Sequence, residues 1–320
     1  MALDRLEAMR AFCRIVEVGS FGGAAESLGL AKTTVSGQIQ ALEVLLGMKL
    51  LHRTTRKVSP TTEGSAYYLR ARAVLDDVDD LEASVSMNRS IVRGRIRIEM
   101  PPAVGLSLVV PALRDFTAKY PETHLDVGCS DRVVDLVEEG IDCSIRGGVV
   151  SDPNLVCKVI GRVQLALCAS PNYLKESPGL SSPEDLLVHK NLGYRFSANN
   201  RRYLPQMFRG HDSFSLDVPV SMYFNNGGAY TAAAVAGLGI AFLPRAEAQQ
   251  YFAKGMLEEV LTDWTLESIP LSLVYPHTRH LSARVRAFAD WVTTLMRDDP
   301  CWRLERENSQ YDESHNTTNH

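Results

Sequence analysis

Between Lys32 and Lys57 the chain gathers side chains suited to holding a polyanion rather than to breaking bonds. Lys32, Thr33, Thr34, Ser36, Gly37 and Gln40 fall on one side of a segment whose other side is Val35, Ile39, Leu42 and Leu46, at i, i+4, i+7 and i+11. Short polar groups at helical spacing can enter a major groove and bond base edges or phosphates, whereas a merely solvated face more often carries Glu and Lys. Arg53, Arg56 and Lys57 follow, in a basic stretch bracketed by Leu50, Leu51 and Val58. That stretch reads as a hairpin wing whose cations meet phosphates, with an exposed basic loop as the alternative.

Elsewhere the residue types of catalysis do not assemble. There is no Gly-x-Ser-x-Gly, no His-Glu-x-x-His and no Gly-x-x-x-x-Gly-Lys-Ser/Thr. Gly237 and Gly239 precede a strand, where a dinucleotide fingerprint must follow one, so they read as a tight turn. His277 and His280 lack further ligands at metal spacing. Asp131 and Asp135, at i, i+4 around Arg132, fit a helix N-terminus that favours acids. Cys13, Cys129, Cys143, Cys157, Cys168 and Cys301 show no Cys-x-x-Cys spacing and read as reduced, buried small hydrophobes. The expectation is a protein with no catalytic residues, no metal and no cofactor.

Charge separates the chain's parts. The net charge is −4, yet residues 1–60 hold eight Lys/Arg against five Asp/Glu, and residues 101–320 hold twenty against twenty-six. A small basic head on an acidic body suits a nucleic-acid-binding end. With 320 residues, 45% hydrophobic and 22% charged, the chain is long enough for two or three globular domains. No run reaches about 18 apolar residues, and the first residues show no leader pattern, so a cytoplasmic protein with no membrane partner is expected.

The elements of the head follow from its breaks. Leu6, Met9, Phe12, Cys13 and Val16 recur at helical spacing until Gly19 and Ser20. Ser20 is placed to cap a helix from about Gly22 to Leu28, with Ala24, Ala25 and Leu28 inward and Gly29 closing it. After a turn at Gly29, Leu30 and Ala31, the Val35 stripe runs to Gly47, which completes a helix-turn-helix.

These residues carry a resemblance. Phe21, Ala24, Ala25, Glu26, Leu28, Val35, Ser36, Ile39, Leu42, Glu43, Leu46, Gly47, Leu50, Leu51, Arg53, Thr54, Thr55 and Arg56 closely resemble the winged helix-turn-helix of LysR-type transcriptional regulators. It extends to about Met296 through Pro111, Phe116, Tyr120-Pro121, Asp135-Leu136, Gly140, Asp142, Arg146, Gly148, Pro171, Tyr173-Leu174 and Ala236-Gly237-Leu238-Gly239-Ile240. It implies an α/β protein with an N-terminal winged helix-turn-helix, a long linker helix and a C-terminal two-lobed effector domain like type 2 periplasmic binding proteins. Such a regulator binds promoter DNA as a homodimer or homotetramer and answers to a small-molecule effector. Two departures matter. Family members often have Ser where this chain has Ala31, and Arg or Lys where it has Gly37. Gly37 fits close backbone approach to DNA or drift, and both readings stand. Gly22 and Gly23 replace hydroxyl residues, which leaves backbone N–H groups to receive a phosphate.

From Thr61 to Asn88, Tyr67, Ala71, Val74, Val78, Leu81 and Val85 are spaced 4, 3, 4, 3, 4, a heptad seam. The resemblance makes it a linker-helix dimer interface; packing on the chain's own effector domain is the alternative. Beyond Arg93, Gly94 and Arg95, strand and helix patterns alternate at 124–129, 133–139, 143–145, 165–169, 231–236, 240–243, 271–274 and 281–296, which implies a mainly parallel sheet. The expected units are a head at 1–60, a linker helix at 61–90, an effector domain at 91–296 and a frayed polar tail at 297–320. By resemblance, lobe I takes 91–161 and 269–296, and lobe II takes 162–268. The resemblance also lines the interlobe cleft with Pro101, Pro102, Ala103, Val104, Ser130, Arg146, Gly147, Arg195, Asn225, Gly227 and Gly228. There a small organic acid would meet helix N-termini and Arg146, although Pro102 and Ala103 offer few donors, so a neutral effector fits as well. Arg146 as a structural ion-pair partner in its own lobe is the other reading. A cytoplasmic solute-binding protein, or an enzyme on the same scaffold, is the alternative for the whole chain.

Overall fold

Local capping decides where the head's helices begin and end. The computed structural model describes residues 4–53, 58–85, 92–195, 202–277 and 281–304. Helix α1 (Arg5–Val18) starts at Asp4, whose carboxylate accepts the Leu6 and Glu7 amides. Helix α2 (Phe21–Leu28) starts at Ser20, whose hydroxyl accepts the Gly23 amide at 3.1 Å. Gly29 and Gly47 close α2 and α3 (Lys32–Leu46) with φ of 65° and 68°, a left-handed position that L side chains resist. Strands β1 (Leu51–Arg53) and β2 (Val58–Pro60) form an antiparallel wing in register Leu51↔Pro60. Ala8, Phe12, Ile15, Ala24, Val35, Ile39, Leu42 and Leu50 are buried at the centre of the head.

Helix α4 (Thr62–Val85) is the linker helix, and its first half belongs to that core. Ala71 and Leu75 are buried there, and the Tyr67 ring meets Phe12 edge-on at 5.5 Å. Tyr67 and Ala71 are therefore not part of an open seam. A 3.6-residue helix drifts away from a 3.5-residue pattern, so one apolar stripe serves the head first and turns outward later. Val74 and Leu81 are exposed and Val78 is half-buried, while the Val85 side chain lies outside the described residues.

The C-terminal domain, expected to bind an effector, is built on a five-stranded sheet of order β4-β3-β5-β15-β6. Its strands are β3 (Gly94–Met100), β4 (Thr123–Cys129), β5 (Cys143–Gly147), β6 (Leu155–Val163) and β15 (Ile269–Pro276). β3 runs parallel to β4 and β5, but β15 is antiparallel to both β5 and β6. The sheet is thus mixed rather than mainly parallel, because the chain leaves along β6 at Val163 and returns along β15 at Ile269, paired residues of one antiparallel ladder. After β3, helix α5 (Pro102–Val104) continues through a π-helical turn (Gly105–Val109) into α6 (Val110–Lys119). Gly105 has no room for a Cβ, which would come 2.5 Å from the Cys129 sulfur. Helix α10 (Ala283–Asp298) covers the sheet with Phe288, Val292 and Met296.

The excursion between β6 and β15 holds β7 (Leu165–Ala169), α7 (Pro171–Glu176), β8 (Asn191–Tyr194), β9 (Gln206–Arg209), β10 (Asp212–Ser215) and β11 (Val220–Phe224). It continues through α8 (Gly227–Val235), β12 (Ala241–Pro244), α9 (Arg245–Ala253), β13 (Glu258–Glu259) and β14 (Thr265–Leu266). These pair as β12-β7-β13, β11-β8 and β10-β9-β14. Tyr230 of α8 is a hub here: its hydroxyl donates to the Leu192 carbonyl and accepts the Phe242 amide, both at 3.2 Å.

Further sequence expectations fail in this domain, and Cys129 and Cys157 are exposed rather than buried. Residues 133–139 form turns, organised by Asp135 accepting the Val137 and Glu138 amides, and Val133 and Val137 are exposed, so no apolar stripe holds a helix. Residues 297–304 are not frayed: Trp302 is 1% exposed. Its carbonyl accepts the Arg162 amide at 2.8 Å, and a Cβ on Gly161 would come 2.5 Å from that oxygen. One large indole outweighs the polar character of its neighbours.

Candidate functional site

The outer side of α3 is the first candidate surface. Lys32, Thr33, Thr34, Gly37 and Gln40 are exposed and Ser36 is half-buried, opposite buried Val35, Ile39 and Leu42. Its N-cap, Ala31, makes no side-chain hydrogen bond to the first turn, where Ser or Thr would take one amide. A Cβ at Gly37 would meet nothing within 4 Å, so nothing inside the chain requires glycine there. At α2 the Gly23 amide donates to the Ser20 hydroxyl, and Gly22 is exposed with open space around it. Arg56, Lys57, Thr54 and Thr55 of the wing, and the side chain of Arg53, lie outside the described residues.

The wing's attachment is well defined. Glu43 sits one turn after Ile39 on the buried side of α3 and is 3% exposed. Its carboxylate takes Lys49 Nζ at 2.8 Å and the Leu50 and Leu51 amides at 3.0 and 3.4 Å. Burial pushes the Glu43 pKa up, but these donors together outweigh it and the net shift is downward. The sequence signal for this residue was an acid at a core position of a helix, which demands a partner.

A second junction joins head, linker and effector domain. Glu17 of α1 accepts from Tyr68 Oη at 3.2 Å and faces Arg72 at 3.5 Å, both on α4. Arg95 of β3 reaches Tyr68 Oη at 3.5 Å and pairs with Asp126 at 2.6 Å.

The cleft between the lobes differs from its expected form. Of its first segment, Pro101 and Pro102 carry no N–H, and Val104 is buried in the lobe I core rather than lining the cleft. Arg146 donates from Nη2 to the Val134 carbonyl at 2.6 Å, which ties it to its own lobe; burial lowers its pKa against the pull of Asp152, Cys157 and Asp135. Ser130 is held by lobe I, its amide on the Met100 carbonyl and its hydroxyl 2.7 Å from Glu99. Arg195 stacks on the Tyr223 ring at 4.1 Å, and its Nε is buried without a hydrogen-bond partner. Gly147, Asn225 and Gly228 are exposed and Gly227 is half-buried.

What fills the start of α8 is Asp131. Its carboxylate accepts the Gly227 amide at 2.8 Å and Asn226 Nδ2 at 3.1 Å, while Asn226 Oδ1 accepts the Ala229 amide. Burial and then Asp131 raise the Tyr194 pKa, and burial likewise raises that of Glu247, which accepts from Thr231 at 2.8 Å with Asp131 also nearby. The sequence places Asp131 at a helix N-terminus of its own segment, whereas the helix it serves begins 96 residues on.

Among the described residues no group of three or more His, Cys, Asp or Glu is placed to hold a metal ion, and no helix is long and apolar enough to cross a membrane.

The comparisons agree with this geometry. Residues 6–65 match the family described as bacterial regulatory helix-turn-helix protein, lysR family, and residues 90–297 match the LysR substrate binding domain. The chain is 35% identical over 298 residues to an HTH-type transcriptional repressor of Pseudomonas aeruginosa, covering 93% of this chain and 94% of the relative. It is 36% identical to the HTH-type regulator YhjC of Escherichia coli, over 92% of this chain and 99% of that one. Among solved structures it resembles the virulence activator AphB of Vibrio cholerae (TM-score 0.54, 27% identity, covering 92% of this chain and 99% of that one). It also resembles CrgA of Neisseria meningitidis (TM-score 0.55, 27% identity, 90% and 97%). With a recognition helix turned outward, a wing anchored beneath it and two lobes behind a linker helix, this chain belongs to the LysR family of transcriptional regulators.

Proposed function

We propose that the protein binds a partly palindromic promoter duplex in the cytoplasm as a dimer or dimer of dimers, with α3 in the major groove and the wing on adjacent phosphates. A small-molecule effector enters between the lobes and changes how the two heads engage their half-sites. The observation that carries this reading is the outward face of α3, polar from Lys32 to Gln40 and opposite buried Val35, Ile39 and Leu42. Exposed Val74 and Leu81 support self-association through the second half of α4, because an apolar stripe on a long helix gains by being covered. Dimeric pairing lets two weak half-site contacts act together.

Fluorescence anisotropy of the full chain on promoter duplexes, titrated with salt, tests this. Each wing cation that meets a phosphate contributes about 0.9 to the slope of log affinity against log salt. Replacing Arg53, Arg56 and Lys57 together by Ala is expected to flatten the slope and weaken all sequences alike, while Thr33→Ala or Ser36→Ala shifts preference among sites. An unchanged slope for the triple variant would remove the wing from the interface.

A further inference from the structure

We propose that Asp131 is a latch that holds the two lobes of the effector domain together. Ser130, just before it, is anchored to lobe I through Met100 and Glu99. From that fixed base the Asp131 carboxylate crosses to lobe II and ends on α8, where the Gly227 amide and the Asn226 side-chain amide both donate to one of its oxygens. Asn226 is the cap of the same helix, so its two polar ends divide the work: Oδ1 closes α8 from within and Nδ2 grips the other lobe. A carboxylate also suits the positive end of a nine-residue helix, and this one is supplied from 96 residues earlier in the chain.

The surroundings make the contact a switchable one. Tyr194 and Glu247, both of lobe II, lie close enough to Asp131 for its charge to raise their pKa values. Tyr194 adds a side-chain hydrogen bond to Asp131, while Glu247, which takes the Thr231 hydroxyl, opposes Asp131 with charge of the same sign, so the latch is closed by directed hydrogen bonds against a repulsion. Opening separates Asp131 from α8 and from Tyr194 of β8 and breaks no strand pairing, since the chain crosses between the lobes at the end of the β6–β15 ladder. The latch deepens the reading of the cleft as the effector site and rests on that reading for its regulatory consequence; the closure itself does not depend on it.

Hydrogen exchange and lobe-to-lobe distance measurements on the full chain, with one label on each lobe, test the latch in Asp131→Ala and Asp131→Asn. In the Ala variant the Gly227 amide is expected to exchange at least tenfold faster and the distance distribution to widen, while exchange in β12 stays as in wild type. Asn keeps an acceptor oxygen without the charge and is expected to fall between the two. Unchanged Gly227 exchange and an unchanged distance distribution in the Ala variant would overturn the proposal. Faster exchange across β12 as well would also overturn it, because Asp131 would then support the fold of lobe II rather than its closure. DNA affinity measured alongside keeps the two readings apart: lobes that open with no change in promoter binding support the latch and count against the cleft as the controlling site.

Discussion

The Glu43 carboxylate of α3 lies 2.8 Å from the Lys49 ammonium, and through the Leu50 amide it also holds the strand that begins the wing. Lys49 is largely exposed and Glu43 is not, so one end of the pair is dissolved in water and the other is built into the core. The carboxylate thereby ties α3 to the start of β1, the coupling that the proposed groove and phosphate contacts would use.

The first prediction is a pH dependence of the head. The Glu43 pKa is lowered in the folded chain, so its stabilising contribution is complete above its ordinary value of 4.5 and is lost as the pH falls through the folded value. Wild-type thermal midpoints should drop across that window, and Glu43→Gln should flatten the dependence. Glu43→Ala leaves the Leu50 and Leu51 amides without their acceptor and should cost about 1–3 kcal/mol in urea unfolding.

A second prediction separates the two readings of Gly37. The position has open space around it within a helix, so Gly37→Ala should stabilise the head by about 0.5–1 kcal/mol. If DNA meets the α3 backbone there, the same variant loses affinity in anisotropy despite its higher stability. Equal affinity would assign the glycine to drift.

The third concerns α4. Leu81 is 66% exposed and Ala71 is 2% exposed. Leu81→Asp should leave secondary structure and thermal unfolding of the monomer intact while light scattering shows the dimer lost. Ala71→Asp places an unpaired charge in the head's core and should unfold it, at a cost of several kcal/mol. A dimer as tight as wild type in Leu81→Asp would show that the exposed stripe is not the interface.

Arg146 supplies the fourth. Because its guanidinium serves the Val134 carbonyl, Arg146→Ala should lower lobe I stability by about 1–3 kcal/mol in chemical denaturation. A residue devoted to effector binding would leave stability unchanged, so the melting curve tells the two roles apart before any ligand is known.

The head was nearly fully legible in its sequence because its signals are local: Ser20 caps, Gly29 and Gly47 stop, and the Val35, Ile39 and Leu42 stripe faces inward. The heptad count failed at Tyr67 and Ala71 because periodicity identifies an apolar stripe without saying which body covers it. Asp131 and Arg146 were recognisable as polar groups needing partners, but their partners, Gly227 and the Val134 carbonyl, are backbone groups that leave no mark in residue identity. The segment 297–304 reads as a polar tail from its composition, while the place of Trp302 depends on a gap over Gly161 about 140 positions away.

The strand order of the five-stranded sheet bears on synthesis. β15 sits between β5 and β6, so lobe I cannot complete its sheet until residue 276 has left the ribosome, whereas every strand of the excursion between Val163 and Ile269 has emerged by then. The inserted lobe is free to fold first, and β6, which among the described residues pairs with β15 alone, stays unpaired meanwhile. A chain growing at about 5–20 residues per second exposes that edge for several seconds. Nascent molecules are at their most vulnerable to edge-to-edge association in this interval, and a pause in translation between positions 163 and 269 lengthens it.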